Sequence, residues 1–498
     1  MGWRRFLFGS LPFLILFSAY MRLSYVFPKN SDDASYVLEA LDVLHGNLLL
    51  HGWTVTVDTF YTTATPLYVL GGLAALDMVL LMHVIPALIY ALFVTFCLWL
   101  VSVLSPTEER YLGKAICLLI VGLIPFFYSW DPTHTASHVI TVFCVTGAFY
   151  FLATDRALLF AGLLLILADT SDPFALWIGI LPIGLMGLRR IATGARRQGC
   201  VFLIIAASSL LISGTFVAAV RKLGGFQTVS PPAQFADLKQ IGLNLYLLSW
   251  SIFQLFGAYI FGLAFFSLDS AVVLVHLAVL VFVVWCIISA VLKPDDGPIG
   301  TLTLFLATAI FINVAAFVFS TFAASYSFSA VRVLSPIPPF GGLIAALTWR
   351  KTVIRKSYIL CALPIVSVAY VIPFLQPMFH ATVQPPRKVI EYLKRRHLAE
   401  GYASYAEASI LTVLSGEKLA IRQLFLEPNG SMGVGPVSSE RWYEMRDARF
   451  CIFGDYGNSM FYPRAAVRTW GRPLETYTVD GYTIMIWSSP IHLMPAAR

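Results

Sequence analysis

The chain contains 498 residues, of which 58% are hydrophobic, 14% aromatic and only 12% charged, and its mean hydropathy is +0.77. This composition excludes an ordinary soluble domain and indicates a polytopic α-helical membrane protein. The formal net charge of +7 is distributed over loops and forms no basic patch, so we expect no nucleic-acid partner.

Apolar segments of the length that a bilayer requires, about 20 residues, recur from the N-terminus to about residue 375. The first follows Trp3-Arg4-Arg5 and lacks a convincing cleavage site, which predicts an uncleaved signal anchor with a cytoplasmic N-terminus. We predict eleven spans, at about residues 6–27, 78–104, 112–129, 137–153, 157–168, 174–188, 200–220, 270–292, 300–322, 331–349 and 357–376.

Residues 241–266 are ambiguous, because they are apolar enough to cross but carry polar and aromatic residues suited to an interface. If they lie on the outer surface, fourteen Lys and Arg residues fall on cytoplasmic loops and six on outer positions before residue 380. If they cross, the basic stretch 349–356 lies outside, against the positive-inside rule. We therefore predict an interfacial segment and an outer C-terminal region, in the inner or plasma membrane of a bacterium.

This orientation divides the chain into two predicted domains and places most acidic residues at the outer face. Residues 1–379 form the membrane domain, whose outer loop 28–77 carries interfacial helices. Residues 380–498 form a soluble domain, with helices expected at RKVIEYLKRRHL and AEASILTVLSG and strands at GYASY, KLAIRQLFL, RFCIFG and YTIMIWSS. This alternation predicts a small extracytoplasmic α/β domain.

The outer loop opens with two adjacent acids in NSDDASYVLEALDVLHGN, residues 30–47. Ser31 is the expected N-cap, and Asp32 and Asp33 would occupy the first helical turn, where carboxylates meet unpaired N–H groups. At about 100° per residue, Asp32 projects toward the polar face and Asp33 toward the apolar edge. The two acids therefore have different roles, and capping explains one of them better than both.

A second outer loop, SWDPTHTASHV, places Asp131 before His134 and His138. On a helix the two imidazoles share a face, a spacing compatible with a divalent metal, although no third strong ligand adjoins them. Asp131-Pro132 is also an ordinary helix start. A turn capped by aspartate explains Asp169 and Asp172 without any ligand.

Three stretches resemble motifs of the GT-C superfamily of integral-membrane glycosyltransferases, which includes protein O-mannosyltransferases and lipid A aminoarabinose transferases. The first is the outer loop, with the acidic pair followed by Tyr36, Ala40 and Gly46. The second is FYTTATPLYVL, which matches at Pro66 and Leu67 but lacks the family's basic residue and first proline. The third, residues 329–350, matches at Arg332, Pro336 and Pro339, with Val333 replacing the usual aromatic residue.

The resemblance implies an inverting transfer of a sugar from a polyprenyl-phosphate donor to a hydroxyl of a lipid, glycan or protein acceptor on the outer face. It assigns the catalytic base to Asp32, with Asp33 second, and the phosphate contact to Arg332. The expected substrate-binding residues also include Asp58, Asp131, His134 and His138. No cofactor is firmly implied, although some relatives use a divalent metal.

Two other functions fit the same sequence. Many spans are also typical of a carrier or flippase for a lipid-linked or small polar solute, although no internal repeat is evident. The departures from the family motifs are compatible with a non-catalytic scaffold that keeps the architecture. An arginine at the end of a span, such as Arg332, often only reaches toward the interface.

Overall fold

The structure is a computed structural model that describes residues 2–125, 128, 131–134, 138–229, 234–321, 331–352, 354–374, 386–427, 429–435, 437–454 and 461–493. The α-helices, in chain order, are α1 (Gly2–Ser24), α2 (Ser31–Leu44), α3 (Thr65–Leu73), α4 (Met78–Leu104), α5 (Arg110–Cys117), α6 (Val139–Ala153), α7 (Leu158–Ser171), α8 (Leu181–Ala192), α9 (Arg196–Lys222), α10 (Leu238–Leu255), α11 (Leu268–Leu292), α12 (Gly297–Phe319), α13 (Ile337–Thr348), α14 (Lys356–Val371), α15 (Pro386–Arg395), α16 (Tyr405–Leu414) and α17 (Phe461–Trp470). The strands are β1 (Trp53–Thr56), β2 (Gln227–Val229), β3 (Glu400–Ser404), β4 (Ala420–Leu426), β5 (Met432–Val434), β6 (Ser438–Ser439), β7 (Phe450–Phe453), β8 (Glu475–Val479) and β9 (Tyr482–Ile486).

Most of the described chain is helical, as expected for a membrane protein. Helices occur in all eleven segments predicted to be spans, but within the described residues five helices are both long and apolar enough to cross a membrane. They are α4, α9, α11, α12 and the helical segment Val331–Lys351, which contains α13. The number of crossings beyond these five stays a prediction, and so does the orientation.

The ambiguous segment 241–266 begins with helix α10, which is not one of these five helices. Its residue Asn244 is buried, and the side-chain amide donates to the carbonyl oxygens of Phe317, Val318 and Ser320 at 3.2, 2.9 and 2.9 Å. These carbonyls lie at the C-terminal end of α12, where a helix leaves acceptors without intrahelical partners. Asn244 is therefore explained by capping, and the interfacial position of α10 remains a prediction.

The C-terminal region contains a six-stranded sheet in the order β5-β4-β3-β7-β9-β8. Strand β3 pairs in parallel with both β4 and β7, whereas the outer pairs are antiparallel. Helices α15 and α16 contribute Leu393 and Leu411 to a core that also contains Ile452 and Ile484. All the helices and strands predicted for this region are present, and the structure adds β5, β6, β8 and α17.

A second, smaller sheet joins the outer loop to two distant parts of the chain. Strand β1 pairs in parallel with β2, which follows α9, and antiparallel with β6 of the C-terminal region. The connection continues beyond the strands, because the amide of Glu440 donates to the carbonyl of Gly52 at 2.8 Å. The small sheet therefore attaches the loop that carries β1 to the segments that carry β2 and β6.

Candidate active site

The first turn of α2 is fixed by a capping box whose N-cap is Asn30, one residue before the predicted Ser31. The Asn30 side chain accepts hydrogen bonds from the amides of Asp32 and Asp33 at 2.9 and 3.2 Å. The Asp33 carboxylate in turn accepts from the Asn30 amide at 3.4 Å. This cap holds the first helical turn, so that the two acids leave α2 in different directions.

Asp33 is fully buried in an ionic cluster. Its Oδ2 lies 2.6 Å from Nδ1 of His134, and its Oδ1 lies 3.8 Å from the Lys29 ammonium. Lys29 also donates to the carbonyl of Thr133 at 2.5 Å. Burial lowers the pKa of Lys29, and the Asp33 charge opposes that shift. Asp33 therefore connects the first outer loop to the second and has a structural role.

Asp32, by contrast, is partly exposed and lines a cavity of about 120 Å³. This volume holds several water molecules. The lining combines three carboxyl groups, one guanidinium, phenols and hydroxyls; its residues are Asp32, Ser35, Tyr36, Glu39, Val55, Thr56, Asp58, Thr59, Arg332, Tyr405 and Val437. We call Asp32, Glu39, Asp58, Arg332 and Tyr405 the cavity cluster. Such a mixture of acids and hydrogen-bonding groups suits a polar ligand.

Arg332 reaches the cavity from the start of a late helical segment, and its guanidinium lies 3.2 Å from Oδ2 of Asp58. The two side chains are 26% and 22% exposed, so the pair remains open to the cavity. Tyr36 holds the backbone of the same loop, since its hydroxyl donates to the carbonyl of Asp58 at 3.2 Å. An incoming anion can therefore bind the guanidinium by replacing the Asp58 carboxylate or by sharing the guanidinium with it.

Glu39 is a cavity residue almost two turns along α2 from the acidic pair. Its side chain is buried, and burial raises its pKa to about 8. At neutral pH it is therefore mainly a neutral carboxylic acid, able to donate a hydrogen bond as well as to accept one.

The C-terminal region supplies two residues of the cavity lining, Tyr405 and Val437, which the sequence did not indicate. Tyr405, the first residue of α16, donates its hydroxyl hydrogen to Oδ1 of Asp32. The same helix contacts α2 again through its Ser409 hydroxyl, which lies 3.2 Å from that of Ser35. Helix α16 therefore contacts α2 through two polar side chains.

The second predicted outer loop contains Asp131 in a single 3-10 turn. Asp131 is buried, and burial raises its pKa, an effect that the positive charge of Arg332 opposes. Asp131 does not belong to the cavity lining.

His134 and His138 contact two different carboxylates, so they do not form one set of metal ligands. His134 contacts Asp33, as above, whereas Nδ1 of His138 lies 2.8 Å from Asp172. The predicted helix between them lies largely outside the described residues. Within the described part of the chain, no group of three acidic, histidine or cysteine side chains could hold a metal ion.

Asp172 combines the predicted turn role with this contact. It accepts a hydrogen bond from the amide of Phe174 at 3.0 Å, as a capping aspartate does, and another from Thr141 at 2.6 Å. Asp169, the other acid of this turn, accepts from the Ser213 hydroxyl. Both acids are thus accounted for by contacts within the fold.

Of the seven candidate site residues, the structure brings Asp32, Asp58 and Arg332 to one cavity, whereas Asp33, Asp131, His134 and His138 are not part of its lining. Lys29, Glu39 and Tyr405 join them and were not among the candidates. Comparison with models of known protein families gives no match for this sequence, and comparison with curated protein sequences gives none either.

Proposed function

We propose that the protein is a membrane-embedded glycosyltransferase of the GT-C type, which transfers a sugar from a polyprenyl-phosphate donor to an acceptor hydroxyl. In this proposal the chain crosses the inner or plasma membrane of a bacterium eleven times, and the cavity cluster opens to the extracytoplasmic side. Membrane lipids surround the helices, and the acceptor is a lipid, a glycan or a protein.

The observation that carries the proposal is the meeting of Asp32 and Arg332 in one cavity. The two residues are 300 positions apart in the sequence and arrive on different helices, yet both line the same polar space. A base for an acceptor proton and a cation for a departing phosphate are the two groups that this transfer needs. The three family-like motifs supply an independent argument, since two of them contribute these residues.

The reaction consists of one displacement at the anomeric carbon. The acceptor oxygen forms the new bond to this carbon from the side opposite the phosphate, and its proton passes to the Asp32 carboxylate. The bond between the anomeric carbon and the phosphate oxygen breaks, and its electron pair leaves with the polyprenyl phosphate. Arg332 stabilises the charge that develops on this phosphate, because guanidinium binds phosphate oxygens bidentately.

Asp58 imposes a condition on this mechanism. It already accepts a hydrogen bond from Arg332 at 3.2 Å, so the donor phosphate must share the guanidinium with the carboxylate or replace it. Asp58 thereby keeps the guanidinium paired while the cavity is empty, which limits the cost of an isolated charge beside the membrane.

A reconstitution assay tests the proposal. Purified protein in proteoliposomes is supplied with the lipid extract of a strain that lacks the gene, in which unused donor accumulates. Mass spectrometry should detect free polyprenyl phosphate and a new glycoside in equal amounts, and neither with an Arg332→Ala variant. Movement of the sugar lipid across the bilayer without a glycoside would instead establish the carrier function. The absence of both movement and product would favour the scaffold.

A further inference from the structure

We propose that Tyr405 is a positioning residue of the active site, contributed by the C-terminal region, which orients the Asp32 carboxylate within the cavity. The inference rests on the proposed function in that it takes Asp32 as the base. It assigns the C-terminal region a direct part in the site, beyond the outer location predicted for it.

The geometry supporting this role is a direct contact between the two side chains. The Tyr405 hydroxyl donates to Oδ1 of Asp32, and both residues line the cavity. One carboxylate oxygen is therefore held by a neutral donor from across the cavity. A carboxylate held in this way presents its other oxygen in a fixed direction, which is what proton abstraction from an acceptor hydroxyl requires.

Tyr405 can act in this way because the helix that carries it is fixed on both sides. Toward the membrane domain, the amide of Ile410 donates to the Ser31 hydroxyl at 3.3 Å. Toward the sheet, the Thr412 hydroxyl donates to the carbonyl of Ile421 at 2.9 Å. Because Ser31 is the residue directly before Asp32, α16 is attached beside the acid that it contacts.

The electrostatics agree with a hydroxyl that stays protonated. Burial raises the pKa of Tyr405, and the Asp32 carboxylate adds to the shift, so the phenol remains a hydrogen-bond donor at physiological pH. The other charged or titratable groups facing Asp32 are Arg332, Asp58, Tyr36 and Glu39.

The experiment measures how readily Asp32 reacts with a water-soluble carbodiimide and an amine as a function of pH. Purified full-length protein in detergent is labelled, and tandem mass spectrometry separates Asp32 from the buried Asp33. Because a donated hydrogen bond favours the ionised carboxylate, Tyr405→Phe should raise the pH midpoint of Asp32 labelling by about one pH unit. Tyr443→Phe is the matched control, since that hydroxyl donates to the carbonyl of Gln423 at 2.8 Å, away from the cavity.

A second variant covers the case in which Tyr405→Phe fails to fold. Incorporating 3,5-difluorotyrosine at position 405 keeps the ring and makes the hydroxyl a stronger donor, so the midpoint should fall instead. An unchanged midpoint in a folded variant of either kind would overturn the role of Tyr405. The labelling needs no substrate, so its outcome is separate from the transfer assay: a shifted midpoint without transfer would leave the contact standing and remove the proposed function.

Discussion

Two groups of charged side chains in the described part of the chain differ in their balance of acids and bases. The first is the cavity cluster, in which three carboxyl groups face one guanidinium around an open space. The second, which we call the loop cluster, consists of Glu109, Asp295, Arg350 and Lys351. Arg350 contacts Glu109 at 3.1 Å and Asp295 at 3.0 Å, and Lys351 contacts Asp295 at 3.1 Å.

The comparison shows that charge alone does not identify a site in this protein. The loop cluster has two acids and two bases, its side chains are 15–30% exposed, and each charge has an opposite partner. Helix α4 has 27 residues and is therefore about 40 Å long, and it runs from the side of the acidic loop to the segment that carries Glu109. An excess of carboxyl groups around a cavity, not the number of ion pairs, distinguishes the proposed site from the loop cluster.

The largest effect on stability is expected from Asp33→Asn, beside the cavity cluster. The substitution leaves the buried Lys29 ammonium without its carboxylate, and breaking a buried pair in this way costs about 3–5 kcal/mol. Thermal unfolding in detergent, followed by a thiol-reactive dye at the buried Cys97, Cys117 and Cys286, measures the loss. Asp77→Asn is the control, since that exposed N-cap tolerates either residue; equal unfolding temperatures for the two variants would contradict the structural role of Asp33.

An effect that depends on pH is expected from Glu39→Gln. The folded-state pKa of about 8 lies above the ordinary value of 4.5, so the contribution of this group is complete below 4.5 and is lost as pH rises to about 8. The slope is at most about 1.4 kcal/mol per pH unit. The unfolding temperature of the wild type should therefore fall between pH 5 and pH 8 by more than that of the variant, and parallel curves would show that Glu39 ionises normally.

The smallest effect is expected in the loop cluster. Arg350→Ala removes two partly exposed ion pairs, and pairs of this kind contribute about 0–1 kcal/mol each. High salt should reduce the difference from the wild type further, because exposed charges are screened. A loss as large as that of Asp33→Asn, or any loss of glycan transfer, would remove the distinction between the two clusters.

The helices and strands that depend on residues close together in the chain could be predicted from the sequence pattern. The period of the apolar residues indicated α2 and the helices and strands around β3 and β4, and the acidic pair marked the correct helix start within one residue. The prediction of Ser31 as the N-cap is wrong by one residue, since the Asn30 side chain caps equally well and takes that position. In the structure the Ser31 hydroxyl accepts the Ile410 amide instead.

Contacts between distant residues could not be predicted in the same way. Nothing around Tyr405 distinguishes it from a core tyrosine, and its partner lies 373 positions earlier in the chain. The capping contacts of Asn244 with α12 join residues 73 and 74 positions apart, and no local pattern indicates them. The resemblance to GT-C motifs directed attention to Arg332, but its pairing with Asp58 follows only from the fold.

The most direct test of the central claim is the glycan profile of a deletion strain that expresses Asp32→Asn. Mass spectrometry of surface glycans and lipids compares this variant with the wild type and with Asp77→Asn, at equal amounts of protein in the membrane. The loss of a general base lowers a rate by roughly 100-fold to 10,000-fold, so we expect the product to disappear with Asp32→Asn and to persist with Asp77→Asn. Wild-type yield from Asp32→Asn would contradict the assignment of Asp32 as the base.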